Sequence, residues 1–324
     1  MNSFGRFFRI SLFGESHGKN IGITIDGCPA GVPLSEKDFS LDLKRRQAKA
    51  KGTSLRREPD IPKIISGIFN NRTTGSPLTI IFENQDVRSE DYATTKNLPR
   101  PGQADLVAHQ KYRGFNDYRG SGHFSGRLTA PLVAAGVIAK KLISPINVCA
   151  TVTEVGGSRD IEKAVNYALK KDDSIGGIVE CRSTGLPAGW GEPFFDSVES
   201  QISHLAFAVP GIKGIEFGSG FACSRMTGSK YNDIILDKSG KTETNHSGGI
   251  NGGITNSNEM VFRVAIKPPS SIKKEQATVN LITGKPETIS VQGRHDACIA
   301  LRLPVIIEAV TAVVLADFSL IGQL

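Results

Sequence analysis

The chain has 324 residues, 39% of them hydrophobic, and 39 lysines and arginines against 32 aspartates and glutamates, a net charge of +7. That length can bury a substantial core, while no apolar run approaching ~20 residues and no cleavable N-terminal signal is read, which speaks against a membrane protein and for the cytoplasm. The five cysteines, Cys28, Cys149, Cys181, Cys223 and Cys298, are widely spaced without a C-x-x-C pair, so no disulfide framework, zinc cage or other metal site is expected, and the positive balance favours an anionic partner.

In chain order, alternation predicts a strand over Phe7 to Leu12, a polar loop Gly14-Glu15-Ser16-His17-Gly18, and a second strand over Ile21 to Ile25. Ser35 reads as an N-cap with Asp38 completing an approximate capping box, opening a helix to about Gln47. Lys44, Arg45, Arg46, Lys49, Lys51, Arg56 and Arg57 then form a basic run ended by Glu58-Pro59-Asp60. It is either a solvated face or a mobile arm that closes over an anion. Ile64 to Phe69 and Leu78 to Phe82 read as strands joined by a turn at Thr73-Thr74-Gly75. Residues 84 to 126 show no clear periodicity, and a stretch this long and irregular is more often functional than idle.

A helix with Thr129 as N-cap and Pro131 in its first turn follows. A strand at Asn147 to Val155, a helix from the cap Asp160 to about Lys171, a strand at Ile178 to Cys181 and a helix opened by Asp196-x-x-Glu199 come next. A glycine-rich stretch, Asn245 to Ile254, precedes a strand over Met260 to Ile266. A last strand near Thr288 to Val291 leads to Gly293-Arg294-His295-Asp296, and Pro304 begins an apolar helix through about Ala316. No linker or low-complexity segment interrupts the order, so one domain spanning 1–324 is expected.

Two stretches carry the chemistry. His17 lies in a glycine-flanked loop beside Ser16 and can serve as general acid or base, because imidazole titrates near neutrality. Arg294, His295 and Asp296 supply a cation, an imidazole and a carboxylate in succession, with Asp296 as base or orienter. Gly248-Gly249 and Gly252-Gly253 allow backbone N–H groups close to a phosphate or flat ring, with Lys267, Ser270 and Ser271 as further donors. Gly120-x-Gly122-x-x-x-Gly126 has the wrong spacing and context for a dinucleotide loop. The basic residues are confined to one segment with little aromatic interleaving, which argues against nucleic-acid binding. The set fits an enzyme acting on a small polyanion.

Gly14-Glu15-Ser16-His17-Gly18, Arg56-Arg57-Glu58-Pro59-Asp60, Glu83-Asn84-x-Asp86-x-Arg88-Ser89, Ser125-Gly126-Arg127-x-Thr129, Gly248-Gly249-Ile250-x-Gly252-Gly253, Lys267-Pro268-x-Ser270-Ser271 and Arg294-His295-Asp296 occur in an order and at separations that resemble chorismate synthases, essentially end to end. The resemblance implies an α+β fold, a β-α-β sandwich with antiparallel sheets around helices, and a homotetramer. It implies loss of phosphate and a ring proton from 5-enolpyruvylshikimate-3-phosphate by 1,4-anti elimination, the last shared step of aromatic biosynthesis. Reduced FMN would be required without net redox change, and NADPH would serve only as flavin reductant. By the same resemblance His17, with Ser16 beside it, would protonate the departing phosphate, and Asp296 and Ser125 would act on the flavin side. Arg46, Lys51, Arg127 and Arg294 would bind substrate anions or NADPH. His123, Phe124, Ser125, Gly252, Lys267, Pro268, Pro269, Ser270, Ser271 and Arg294 would contact flavin.

The chain departs from the family pattern at Gln103, where a second catalytic histidine is usual, since glutamine exchanges no proton near neutral pH. His123 stands where arginine is more frequent, and its imidazole, or a water held by Gln103, is expected to take over the flavin-side proton. Alternatives are a flavin- or NADPH-dependent oxidoreductase on the same scaffold and an impaired family member.

Overall fold

Side-chain alternation at the N-terminus resolves into a meander of β1 (Ser3–Phe4), β2 (Arg9–Gly14) and β3 (Asn20–Asp26), paired antiparallel. The computed structural model describes residues 2–47, 50–54, 58–87, 92, 96–291 and 295–322. β2 starts two residues later than the alternation suggests. The N–H groups of Arg6, Phe7 and Phe8 donate instead to the Asp317 carboxylate, at 2.7 to 3.1 Å, which takes them out of the ladder.

Ser35 and Asp38 form the expected capping box, which opens a 3-10 turn (Glu36–Phe39) running into α1 (Ser40–Arg46). β4 (Lys63–Ser66) stops at Gly67, whose φ of 84° breaks the apolar run, and Ile68–Phe69 becomes β5, paired with β6 (Arg72–Thr73). β7 (Leu78–Glu83) lies between β3 and β4 and completes a five-stranded antiparallel sheet of order β1-β2-β3-β7-β4. The stretch read as irregular contains a short helix, α2 (Asp105–Lys111), and a kinked 3-10 segment at Arg119–Phe124.

The second half is α3 (Thr129–Leu142), β8 (Asn147–Val155), α4 (Ile161–Lys170), β9 (Gly177–Thr184), α5 (Val198–Ala206), β10 (Ile212–Phe217), α6 (Gly228–Tyr231), β11 (Ile250–Asn251), β12 (Ile254–Thr255), β13 (Met260–Ile266), β14 (Gln276–Val279), β15 (Pro286–Ile289) and α7 (Pro304–Ile321). Asp160 caps α4 by accepting from Lys163 N. Two cap assignments shift by one residue: Leu128, not Thr129, precedes α3, and the Ser197 hydroxyl, not Asp196, caps α5. β10, β13, β9 and β8 form a four-stranded antiparallel sheet in that order.

α3 and α7 lie between the sheets, α3 against β2, β3 and β7, α7 against β8 and β9, and each against the other. Both are predominantly apolar because both are enclosed along most of their length, and such charged exceptions as Lys140, Glu308 and Asp317 are each hydrogen-bonded. Gly136 sets their approach: a Cβ there would sit 2.3 Å from Ala309 Cβ. α7 runs five residues beyond the expected end, and its 18 residues, of mean hydropathy 2.0, are long and apolar enough to cross a membrane. In the fold 78% of that helix is buried, and each buried Val, Leu or Ile contributes about 1.5–3 kcal/mol relative to exposure. One continuous apolar core takes residues from both sheets and both central helices, the α+β sandwich expected from the sequence.

Candidate active site

α1 ends at Arg46, and α3 is preceded by the 3-10 turn carrying Arg127, so two guanidinium groups are delivered to one point. There Arg46 Nη2 donates to Asp60 Oδ2 at 2.6 Å and Arg127 Nη1 donates to Asp60 Oδ1. All three side chains are buried. Burial works against the charge of Asp60, but Arg46 and Arg127 outweigh it and hold its carboxyl below the usual carboxylate range. Asp60 also adopts φ 51°, a left-handed conformation that costs a non-glycine residue roughly 1–2 kcal/mol. Arg127 is aimed further by Asn84, whose Oδ1 accepts from Arg127 Nε at 3.0 Å while its Nδ2 donates to the carbonyls of Glu15 and Gly18. Arg46 Nε is buried and has no acceptor among the described residues.

From the C-terminal side, Asp296 enters the same space, its Oδ1 accepting from Ser54 N at 2.7 Å and its Oδ2 lying 3.4 Å from Arg302 Nη1. Arg302 Nε in turn donates to Arg46 O, which ties the loop before α7 to the end of α1. The opposite wall comes from residues 100–125 and 267–271. Arg100 forms a bidentate pair with Asp105 and also donates to Ser271 Oγ, at 3.0 Å, and Ser121 Oγ, at 2.9 Å. Lys267 Nζ donates to Gly102 O and Ser270 Oγ, both at 2.6 Å, and burial lowers its affinity for a proton.

These groups surround a cleft of about 910 Å³, toward the upper end of the range of about 300–1,000 Å³ for small-molecule sites. Its described lining holds five cations, Arg46, Arg100, Arg127, Lys267 and Arg302, against three carboxylates, Glu58, Asp60 and Asp296, an excess of two positive charges. Such a lining attracts an anion.

His17 is 7% exposed and stands one layer behind this surface. Its ring meets Tyr92 edge-on, centroids 5.0 Å apart, and Ser16 Oγ lies 3.3 Å from its Nδ1. Gly120 permits the close approach: at φ 56° it carries no Cβ, which would lie 2.3 Å from the His17 ring. Both Tyr92 and Gly120 line the cleft.

Of the residues singled out from sequence, Arg46, Gln103, Phe124, Ser125, Arg127, Lys267, Pro269, Ser270, Ser271, His295 and Asp296 line one cleft. Several do not reach it, Ser16 and His17 among them. His123 lies outside the lining: its Nδ1 pairs with Gly14 O at 2.8 Å and its Nε2 with Asn2 Oδ1 at 3.2 Å, so the ring fastens the loop to β2. Lys51 is exposed and outside the lining, as is Gly252, while Pro268 lies outside the lining. The glycine-rich stretch divides: Gly252 has open space where a Cβ would stand, while Gly248, Gly249 and Gly253 pack against neighbouring protein atoms. Gly249 leaves 2.6 Å to Glu259 O and Gly253 leaves 2.6 Å to Ser197 Cβ for an added Cβ, so these glycines serve tight turns. Arg294 and Gly293 lie outside the described residues.

Sequence reasoning gave no role to Asp60, Arg100, Ser121 or Arg302. The lone acids closing a basic run, Glu58 and Asp60, were the signal available for the first; Arg302, just before an apolar helix, offered none.

An α+β sandwich whose cleft presents converging guanidinium groups, carboxylates and the imidazole of His295 defines an enzyme acting on a small anion. The chorismate synthase family model matches residues 8–320. A chorismate synthase of Chitinophaga pinensis is 61% identical over 324 residues, covering 100% of this chain and 98% of that protein. The chorismate synthase of Korarchaeum cryptofilum is 42% identical, with 97% and 96% covered. A crystal structure of chorismate synthase superposes with TM-score 0.76 at 26% identity, covering 98% of this chain and 93% of that one. The chain belongs to the chorismate synthase family and is a lyase of aromatic biosynthesis.

Proposed function

We propose that this cleft binds 5-enolpyruvylshikimate-3-phosphate beside reduced FMN and removes phosphate by 1,4-anti elimination, giving chorismate. The observation that carries the reading is the lining itself, where five cations meet three carboxylates and Arg46 and Arg127 converge on the single carboxylate of Asp60. Planar guanidinium forks suit carboxylate and phosphate alike.

The residues fit the flavin as well. Lys267, Ser270, Ser271, Ser121 and Ser125 give one wall a row of donors, and the volume accommodates a ring beside a substrate. When bound, reduced FMN supplies electron density to the allylic system and recovers it, with no net oxidation.

In this reading Arg46, Arg127 and Arg302 anchor the substrate anions, and Asp60 fixes the first two so that little rotamer freedom is lost on binding. The C–O bond to phosphate breaks, a proton leaves the far end of the allyl unit, and a ring double bond forms. His17 is the proposed proton source for the departing phosphate; it stands behind Tyr92 and Gly120, so its proton must cross that layer to reach the cleft, and Ser16 Oγ, 3.3 Å from Nδ1, restrains the ring. Asp296, held by Ser54 N and Arg302, is the proposed oriented carboxylate for the second proton, facing the flavin wall across the cleft. NADPH serves at most to reduce flavin. A single domain, a cytoplasmic setting and a homotetramer complete the proposal.

Anaerobic incubation with enolpyruvylshikimate phosphate and chemically reduced FMN should release phosphate catalytically. Phosphate release no faster than without protein would sink the reading, and NADPH consumed in step with product would mark an oxidoreductase instead.

A further inference from the structure

We propose that Ser121 is a binding residue whose hydroxyl donates a hydrogen bond to the ring of the bound flavin, with Arg100 and Gln103 as the positioning residues that aim it. This rests on the use of FMN proposed above.

A serine hydroxyl has one hydrogen to give and two lone pairs to receive. Arg100 Nη2 donates to Ser121 Oγ at 2.9 Å, and Gln103 Nε2 donates to the same oxygen at 3.2 Å. With both lone pairs engaged, the O–H is left to donate, and Ser121 lines the cleft. The backbone points the same way. Ser121 sits at φ 68° between Gly120 and Gly122, a conformation that favours glycine, and a side chain kept at a strained position is a sign of function.

The chemistry around Ser121 selects a ring over a phosphate. Arg100 is the nearest cation, but its Nε and Nη2 are paired with the two oxygens of Asp105. What that corner offers is a neutral hydroxyl, suited to a carbonyl oxygen or ring nitrogen. The phosphate and carboxylates find guanidinium donors at Arg46 and Arg127 instead. Neither serine nor glutamine titrates near neutrality, so this corner holds the ring without exchanging a proton with it. Gln103, where the family resemblance puts an imidazole, thereby has a task of its own.

The test compares the unsubstituted chain with Ser121→Gly, Gln103→Ala and Gln103→His under anaerobic conditions. Dissociation constants are measured for reduced FMN, reduced riboflavin and, without flavin, enolpyruvylshikimate phosphate. Glycine accepts the backbone conformation, which offsets part of the loss of the Oγ acceptor for Arg100 and Gln103, so Ser121→Gly should remain folded, as its Tm will show. Its affinity for FMN and for riboflavin should fall about 3- to 10-fold, the range of one net hydrogen bond, with substrate affinity unchanged. Gln103→Ala should give a smaller loss, and Gln103→His should make flavin affinity vary between about pH 6 and 8. Unchanged FMN affinity in Ser121→Gly, an equal loss for substrate, or a loss with FMN but not riboflavin would overturn the assignment. If the unsubstituted chain binds no flavin, the FMN reading falls and this inference with it; flavin bound equally well by Ser121→Gly removes this inference alone.

Discussion

Two buried charge networks in this protein use the same materials for opposite ends. Under the helices, Glu308 of α7 receives Arg45 Nη1 and Nη2 at 2.7 Å, Lys140 Nζ at 2.9 Å and Ala150 N at 3.0 Å, while Asp42 receives Arg45 and Lys140 as well. Two acids meet two bases, and each Glu308 oxygen has two donors. At the cleft, two arginines converge on Asp60, whose backbone is left-handed, and Arg46 Nε finds no acceptor among the described residues. The first network is closed and joins α1, α3, α7 and β8. The second is incomplete and faces a cavity. A buried ion pair is therefore no guide to function until the donors left over have been counted.

The cleft network should answer to substitution in rate. Arg127→Ala removes an anion donor yet leaves Asp60 paired with Arg46, so folding should survive. We expect kcat/KM to fall about 10²- to 10³-fold, as for truncating one partner of a buried charged contact, with Arg127→Lys recovering only part of it. An Arg127→Ala enzyme of normal rate would erase the distinction between the networks. The Glu308 network should answer in stability instead. Glu308→Gln leaves Lys140 and Arg45 without their charge partner; because Arg45 is 41% exposed, the usual cost of breaking a buried pair is discounted to about 2–3 kcal/mol. Urea titration reads that loss, and kcat/KM per folded molecule should not change.

Both networks sharpen together in acid. Burial opposes the charge of Asp60 and of Glu308, but arginine and lysine partners prevail and hold both carboxyls below their ordinary values. A carboxyl depressed in the folded state contributes stability above its unfolded pKa, about 4, and that contribution disappears as pH falls through the folded value. The urea midpoint should therefore decline below about pH 4, and less steeply in Glu308→Gln, which has one depressed carboxyl fewer.

Much of the scaffold was legible because period and caps are local. Asn147–Val155 and Met260–Ile266 were placed to the residue, and the Ser35–Asp38 box and the Asp160 cap are as read. β10 was missed because Lys213 and Gly214 interrupt its pattern on a sheet edge, and α2 because seven residues give hardly two turns of periodicity. Arg46, Arg127 and Asp296 reached one cleft, as the family motifs implied. What failed was direction. A sequence places His123 near the site but does not reveal that Gly14 O and Asn2 claim both ring nitrogens. Nor does it distinguish a glycine that admits a ligand from Gly249, which admits Glu259.

The smallest effect reads the closed network from inside. Ala150 on β8 pairs with Cys181 on β9, and Cys181 Sγ lies 3.6 Å from Thr311 Oγ1 on α7, one helical turn from Glu308. Burial pushes this thiol up to about 12, with the nearby Glu308 charge adding to the effect, so little thiolate exists at neutral pH. Cys149 and Cys223 are exposed and should be alkylated first, with Cys181 protected until the structure opens. If opening requires the Glu308 network to part, Glu308→Gln should speed Cys181 alkylation about tenfold or more, each 1.4 kcal/mol lost being a factor of about ten in the open population. Arg127→Ala should leave that rate unchanged. Equal acceleration by both variants, followed by mass spectrometry of the labelled peptide, would mean that the cleft and the helix core open as one unit and that the two networks are energetically a single one.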